Sequence, residues 1–235
     1  MKEARKLCDE ALRIDPNFVP ALVCRANTLH WETYEDLSVD RGRFAEEIDT
    51  LSQRAIAVDD QDLSAWAERV QALAGLGRWR EASAAVDKMA VLDPTSLGTL
   101  TGRAWIMFAT GHPAEALAVA ERAIAINPPG GAFQAMYVCR GNLMLGRYDT
   151  AVSACEKAAA LDDTEWHNQL LLVAAYAQHG DAEKAAVAKR ELLKRQPGYT
   201  IARDRATRFS DEPEFVRQLD EYFYPGLRKA GIPEQ

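Results

Sequence analysis

Between residues 63 and 199 apolar positions recur at helical spacing in stretches of about a dozen residues, each closed by a glycine or a proline. One stretch, GRWREASAAVDKMAVLDP, returns as GHPAEALAVAERAIAINP, as GRYDTAVSACEKAAALDD and as GDAEKAAVAKRELLKRQP. The copies open at Gly77, Gly111, Gly146 and Gly180, at intervals of 34, 35 and 34 residues. A fixed period of that size predicts an array of helical hairpins.

With the glycine at position 15, regular units run over 63–96, 97–130, 132–165 and 166–199. Glycine there ends the first helix in the left-handed conformation. Small residues recur at positions 8, 20 and 27, as in Ala104, Ala116 and Ala123, and let the two helices approach closely. Proline at position 32 (Pro94, Pro128, Pro197) ends the second helix. Val70, Val173, Met89 and Leu192 replace small residues, and Asp163 replaces a proline; apolar swaps of this kind re-space helices without changing the architecture. No hairpin buries its own apolar face, so stacking must build the core.

These frames resemble the tetratricopeptide repeat (TPR). The resemblance implies an all-α, right-handed superhelical solenoid of antiparallel hairpins in a single domain over 1–235. Residues 1–18 match a half repeat, with Ala4, Ala11 and Pro16 in the second-helix frame. An orphan helix suggests a region cut from a longer protein; the alternative is a natural start with an atypical cap. Residues 19–62 form an extended repeat in which HWETYEDLSVDRGR exceeds the period. That excess is either a loop or a lengthening of both helices. Residues 200–235 are expected to be capping helices, with Phe215, Val216, Leu219, Tyr222 and Phe223 at helical spacing. The other reading is an amphipathic helix folded back into the groove and displaced by a partner.

The tail GLRKAGIPE and the extended first repeat are similar to the C-terminal region of bacterial class III adenylate/guanylate cyclase-like signalling proteins. That resemblance implies a regulatory region of a larger cytoplasmic protein, without cyclase residues of its own. The alternative is a free-standing adaptor or co-chaperone.

Composition removes other classes. The net charge is -7 with both signs mixed, which argues against nucleic acid. The longest apolar stretch, LLLVAAYA, is too short to span a bilayer. Cys8, Cys24, Cys139 and Cys155 stand singly and read as buried thiols of a reducing cytoplasm, although Cys139 and Cys155 of one hairpin could lie near each other. The four histidines lack zinc-ligand spacing, and nucleotide-binding and hydrolase motifs are missing, so no catalytic residue, metal or cofactor is expected.

Function then rests on binding a protein or peptide, with a homodimer as a further possibility. In the family, positions 2, 5, 9, 12 and 13 line the concave groove. The frame places Asn27, Trp31 and Gln71 there in the early repeats. Trp105, Phe108, Phe133, Met136, Arg140, Met144 and Gln178 follow in the later ones. Asn27, Gln71 and Arg140 share position 9, where polar side chains hold a peptide backbone. The aromatic and methionine stripe is of the kind enriched at interaction cores. A frame error of one position would turn that stripe into inter-helix core. The Lys of chaperone-binding repeats is replaced at position 5 by Val23, Ala67, Thr101, Met136 and Leu170, so a carboxylate clamp is not expected.

Overall fold

Stop signals in each repeat act locally, and the helices end where they stand. The computed structural model describes residues 2–35, 39–127, 131–162 and 165–235. Regular structure among the described residues is helical throughout. It comprises α1 (Lys2–Ile14), α2 (Val19–Glu35), α3 (Arg41–Val58), α4 (Leu63–Gly75), α5 (Trp79–Leu92), α6 (Leu97–Ala109) and α7 (Pro113–Ile126). There follow α8 (Ala132–Met144), α9 (Tyr148–Leu161), α10 (Trp166–His179), α11 (Ala182–Arg195) and α12 (Ile201–Thr207). The chain closes with α13 (Pro213–Gln218), one π-helical turn (Leu219–Phe223) and α14 (Tyr224–Lys229).

At the α4–α5 turn Gly77 adopts φ 68°, its N–H bonds the Ala74 carbonyl at 2.9 Å, and the Arg78 N–H bonds that of Leu73 at 2.8 Å. This satisfies carbonyls that a helix end otherwise leaves open. Two of the helix starts are capped by aspartates: Asp62 accepts from the Ala65 N–H at 2.7 Å and Asp181 from that of Lys184 at 3.1 Å. The small positions are the helix crossings. Ala82, Ala104, Ala116, Ala123, Ala151 and Ala158 are fully buried, as is Val173 in place of a small residue. Pro94 and Pro197 follow the ends of α5 and α11; Pro128 and Asp163 lie outside the described residues. In the extended repeat α2 has 17 residues and α3 has 18, against 13 and 14 in α4 and α5, so the excess lengthens both helices; its centre, 36–38, lies outside the described residues.

The chain divides into two compact units, Met1–Gly102 and Arg103–Gln235. In unit 1, Leu22, Ala26, Leu29, Ile48, Leu51, Ala55, Ala65 and Ala72 form one core cluster. Beside it Arg25, 8% exposed, bonds Asp9 of α1 at 3.0 Å and Glu47 of α3 at 2.7 Å. One buried guanidinium thereby ties three helices, and its charge is matched by two carboxylates at the rim. In unit 2 the core runs from Ala104 and Phe108 to Phe215, Leu219, Phe223, Tyr224, Leu227 and Ile232, so the C-terminal helices are part of it.

The single-thiol expectation is overturned. Disulfides Cys8–Cys24 and Cys139–Cys155 join α1 to α2 and α8 to α9, with Cα atoms 6.0 and 4.7 Å apart. Each pair is 16 residues apart in sequence, and antiparallel packing sets such residues face to face at bridging distance. Among the described residues no helix is long and apolar enough to cross a membrane.

Candidate protein-binding face

In unit 1 the expected face is carried by α2 and α4. Asn27 does not hold its amide free for a ligand: Nδ2 donates to Glu68 Oε1 at 3.0 Å. Glu68 is 6% exposed, and burial pushes its carboxyl up to about 7 against the pull of that hydrogen bond. Its Oε2 has no hydrogen-bond partner among the described residues. Trp31 and Gln71 are half-buried. The Trp31 ring meets His30 edge-on at 5.8 Å, and burial lowers the His30 imidazole to about 4, so it is neutral at physiological pH.

In unit 2 the expected residues separate into three environments. Phe108, Met136 and Met144 are core, not open surface: they are 0%, 5% and 3% exposed. Phe108 stacks on Tyr137 at 5.4 Å, and burial holds the Tyr137 phenol up at about 12. Phe108 also stands over Gly141, so its ring is shared between α6 and α8. Phe133 is 36% exposed at the start of α8. Trp105, Arg140 and Gln178 are half-buried, and each meets the C-terminal segment.

That segment crosses unit 2 helix by helix. Phe209 lies 6.4 Å from the Trp105 ring, and the Arg140 guanidinium sits 5.1 Å above the Phe209 ring. Ser210 Oγ donates to the Ala109 carbonyl at 2.6 Å, and Gln218 Nε2 to that of Gly111 at 2.9 Å. The first acceptor is an open carbonyl at the C-terminal end of α6, and the second lies in the turn that follows. Tyr222 packs over Gly146, and its carbonyl accepts from Gln178 Nε2 at 2.8 Å. Gly226 then meets the backbone of α10: an added Cβ would stand 2.7 Å from the Ala174 oxygen. Lys229 Nζ donates to Gln178 Oε1 at 2.6 Å, and Lys189 Nζ to the Ala230 carbonyl at 2.8 Å. The tail ends against α12, where the Ile201 and Ala202 N–H groups bond the Pro233 and Glu234 carbonyls at 3.0 and 2.9 Å.

Trp105, Arg140 and Ala174 all occupy position 9 of successive repeats. The segment therefore follows one row of the first-helix face through α6, α8 and α10. The expected capping helices do not simply close the last repeat; they lie along that face. Phe209, Gln218, Tyr222, Gly226 and Lys229 were not among the site residues expected from sequence. A signal for some of them stands in the sequence: apolar residues at 215, 219, 223 and 227, and a glycine inside the helical run.

One carboxylate, bonded by two phenols, ties the segment to α12. Asp204 of α12 accepts from Tyr199 at 2.5 Å and from Tyr224 at 2.9 Å. Burial and this carboxylate push both phenols well above their ordinary range, so both remain donors. Among the described residues no group of three His, Cys, Asp or Glu side chains is placed to hold a metal ion.

No family model matches the chain, and no curated protein sequence does. Solved structures do. The chain is similar to the thermophilic TPR protein TTC0263 of Thermus thermophilus at 21% identity, with a TM-score of 0.57, over 75% of this chain and 90% of that one. It is similar to a chain of the APC/C hetero-tetramer Cut9–Hcn1 at 16% identity, with a TM-score of 0.71, over 88% of this chain and 39% of that one. It is also similar to PilW, a type IV pilus biogenesis factor, at 16% identity, with a TM-score of 0.62, over 87% and 96% of the two chains. Identities this low speak for the fold, and the fold is that of the TPR proteins.

Proposed function

We propose that the chain is a non-catalytic protein-interaction scaffold. Its first-helix face in unit 2 holds a peptide or helix of a partner, with Trp105, Phe133, Arg140 and Gln178 as contact residues. One observation carries this reading: the C-terminal segment already lies across that face, with Phe209 of its non-helical link held by an aromatic and a guanidinium and its Tyr222 carbonyl by an amide, in successive repeats. Unit 1 offers its own first-helix face with Trp31 and Gln71. The similarity to a chain of a hetero-tetramer favours a protein over a small molecule as partner.

In its finer form the reading makes the chain the regulatory region of a larger bacterial signalling protein of the cyclase-like kind. The likeness of the tail GLRKAGIPE and of the extended first repeat supports it. The two disulfides favour an oxidising compartment over the cytoplasm for this region, because disulfides persist where the surroundings oxidise.

A photo-crosslinking amino acid placed at Phe133, with a control at Val91, tests the scaffold reading in source cells. Val91 is 81% exposed on α5. The expected result is a discrete protein adduct from position 133 and none from 91. Equal labelling at both, or none at 133, refutes the reading.

A further inference from the structure

The C-terminal segment has the make-up of a ligand as well as of a cap. Phe215, Leu219, Phe223 and Leu227 are buried, one every fourth residue. A regular α-helix turns about 100° per residue, so such a stripe drifts about 40° at each step. The π turn at Leu219–Phe223, where the Tyr224 N–H bonds the Leu219 carbonyl, inserts an extra residue and brings the stripe back toward one face. The opposite face is charged and self-sufficient: Arg217 pairs with Glu214 and Glu221, all three exposed. This is an amphipathic helix whose polar side pairs within itself and touches the repeats where Glu214 rests on Gly111 and Lys229 donates to Gln178.

Its polar anchors on the repeats are of a general kind. Ser210 of the link and Gln218 of α13 reach backbone carbonyls at the end of α6 and in the turn after it, and any segment with a hydroxyl and an amide at those places could reach them. The fit is also incomplete. Gln218 is 5% exposed, and its Oε1 has no hydrogen-bond partner among the described residues. An unpaired buried acceptor costs stability that a different occupant avoids. The link before α13 is non-helical, from Arg208 to Glu212. At the far end, release breaks the two backbone hydrogen bonds to Pro233 and Glu234 and, with them, those of Lys189 to the Ala230 carbonyl and of Tyr224 to Asp204.

We propose that residues 209–232 are a helical ligand bound in cis to unit 2. The partner of that face is then an amphipathic helix of the same chemistry: an apolar residue at every fourth position, aromatic at the first and third, and glycine where the helix crosses Ala174. This deepens the scaffold reading and rests on it. The cis segment sets a threshold, because a partner must outcompete a tethered rival.

The test uses the full chain and a fluorescein-labelled peptide of residues 209–235. Gly226→Leu in the chain sets a branched side chain against the α10 backbone and frees the face. The peptide is expected to bind this variant at least tenfold tighter than the unaltered chain, and a scrambled peptide to bind neither. A peptide that itself carries Gly226→Leu is expected to lose binding. Hydrogen exchange on the unaltered chain supplies a second readout, with amides of 213–229 opening well before those of α8 and α10. The proposal is overturned if the peptide ignores a folded Gly226→Leu chain. It is equally overturned if amides 213–229 exchange only with global unfolding, and this arm decides should the variant fail to fold. Peptide binding without any adduct at position 133 in cells would sink the scaffold reading and leave the cis ligand standing.

Discussion

Gly226→Ala is the smallest perturbation that tests how the segment is seated. The new Cβ would stand 2.7 Å from the Ala174 oxygen, 3.0 Å from its Cα and 3.0 Å from Gln178 Cγ. The first two belong to the backbone of α10, whose residues Leu170–Ala177 are all buried and leave it little room to yield. Overpacking of this kind costs about 1–3 kcal/mol. Alanine returns up to about 1 kcal/mol through its higher helix propensity. A net loss of about 1–2 kcal/mol follows, or a fall in Tm of about 2–8 °C for a chain of this length. Gly98→Ala is the internal control. Gly98 is exposed in the first turn of α6, and its added Cβ would meet only Met89 Cε at 3.8 Å. There the propensity gain stands alone, and Tm is expected to rise. Thermal melts followed by far-ultraviolet circular dichroism read both. Substitutions that shift Tm in the same direction would refute the close approach of Gly226 to α10.

Two further outcomes concern the ionisable core and the cysteines. The Glu68 carboxyl is raised by burial to about 7, so between its ordinary value and that pH the folded chain binds a proton that the unfolded chain does not. Stability from this group therefore falls as pH rises through that window, the reverse of a salt-bridged carboxylate. Glu68→Gln keeps an acceptor for Asn27 and removes the titration, and is expected to be more stable than the parent at pH 8 by about 2–3 kcal/mol and little changed at pH 4. His30, lowered to about 4, favours the opposite slope below its ordinary value, so parent and variant must be compared pH by pH in denaturant melts; a constant difference would refute the raised carboxyl. For the cysteines, protein denatured without reductant is expected to show no free thiol. Cys139→Ser is expected to lower stability by about 3 kcal/mol, from the unfolded-chain freedom that a 16-residue closure removes. Four titratable thiols in unreduced protein would refute both bridges.

The hairpins were readable along the chain because their determinants are local. A glycine with positive φ, a capping aspartate and a proline each act within a turn of their own position. The helices α4, α6, α8 and α10 begin at Leu63, Leu97, Ala132 and Trp166, the first residues of the repeat frames. The likeness between copies also marked which positions must be small, since one crossing geometry recurs in every hairpin. Repeat spacing alone left other matters open, and tertiary structure decided them. Phe108 and Met144 fit groove and core equally well on a helical wheel; the packed fold buries both, Phe108 against Tyr137 of α8. Cys139 and Cys155 carry no motif, and only antiparallel packing sets them face to face. Asn27 reads as a free amide until the Glu68 carboxyl appears beside it at 3.0 Å. The path of the last helices was the least legible of all, because it depends on surfaces up to 107 residues away, as in the bond from Gln218 to Gly111. Their apolar stripe marks them as amphipathic, but burying that stripe is favourable against any apolar face. What selects the row through Trp105, Arg140 and Ala174 is shape: a ring between an indole and a guanidinium, and a glycine where two backbones touch.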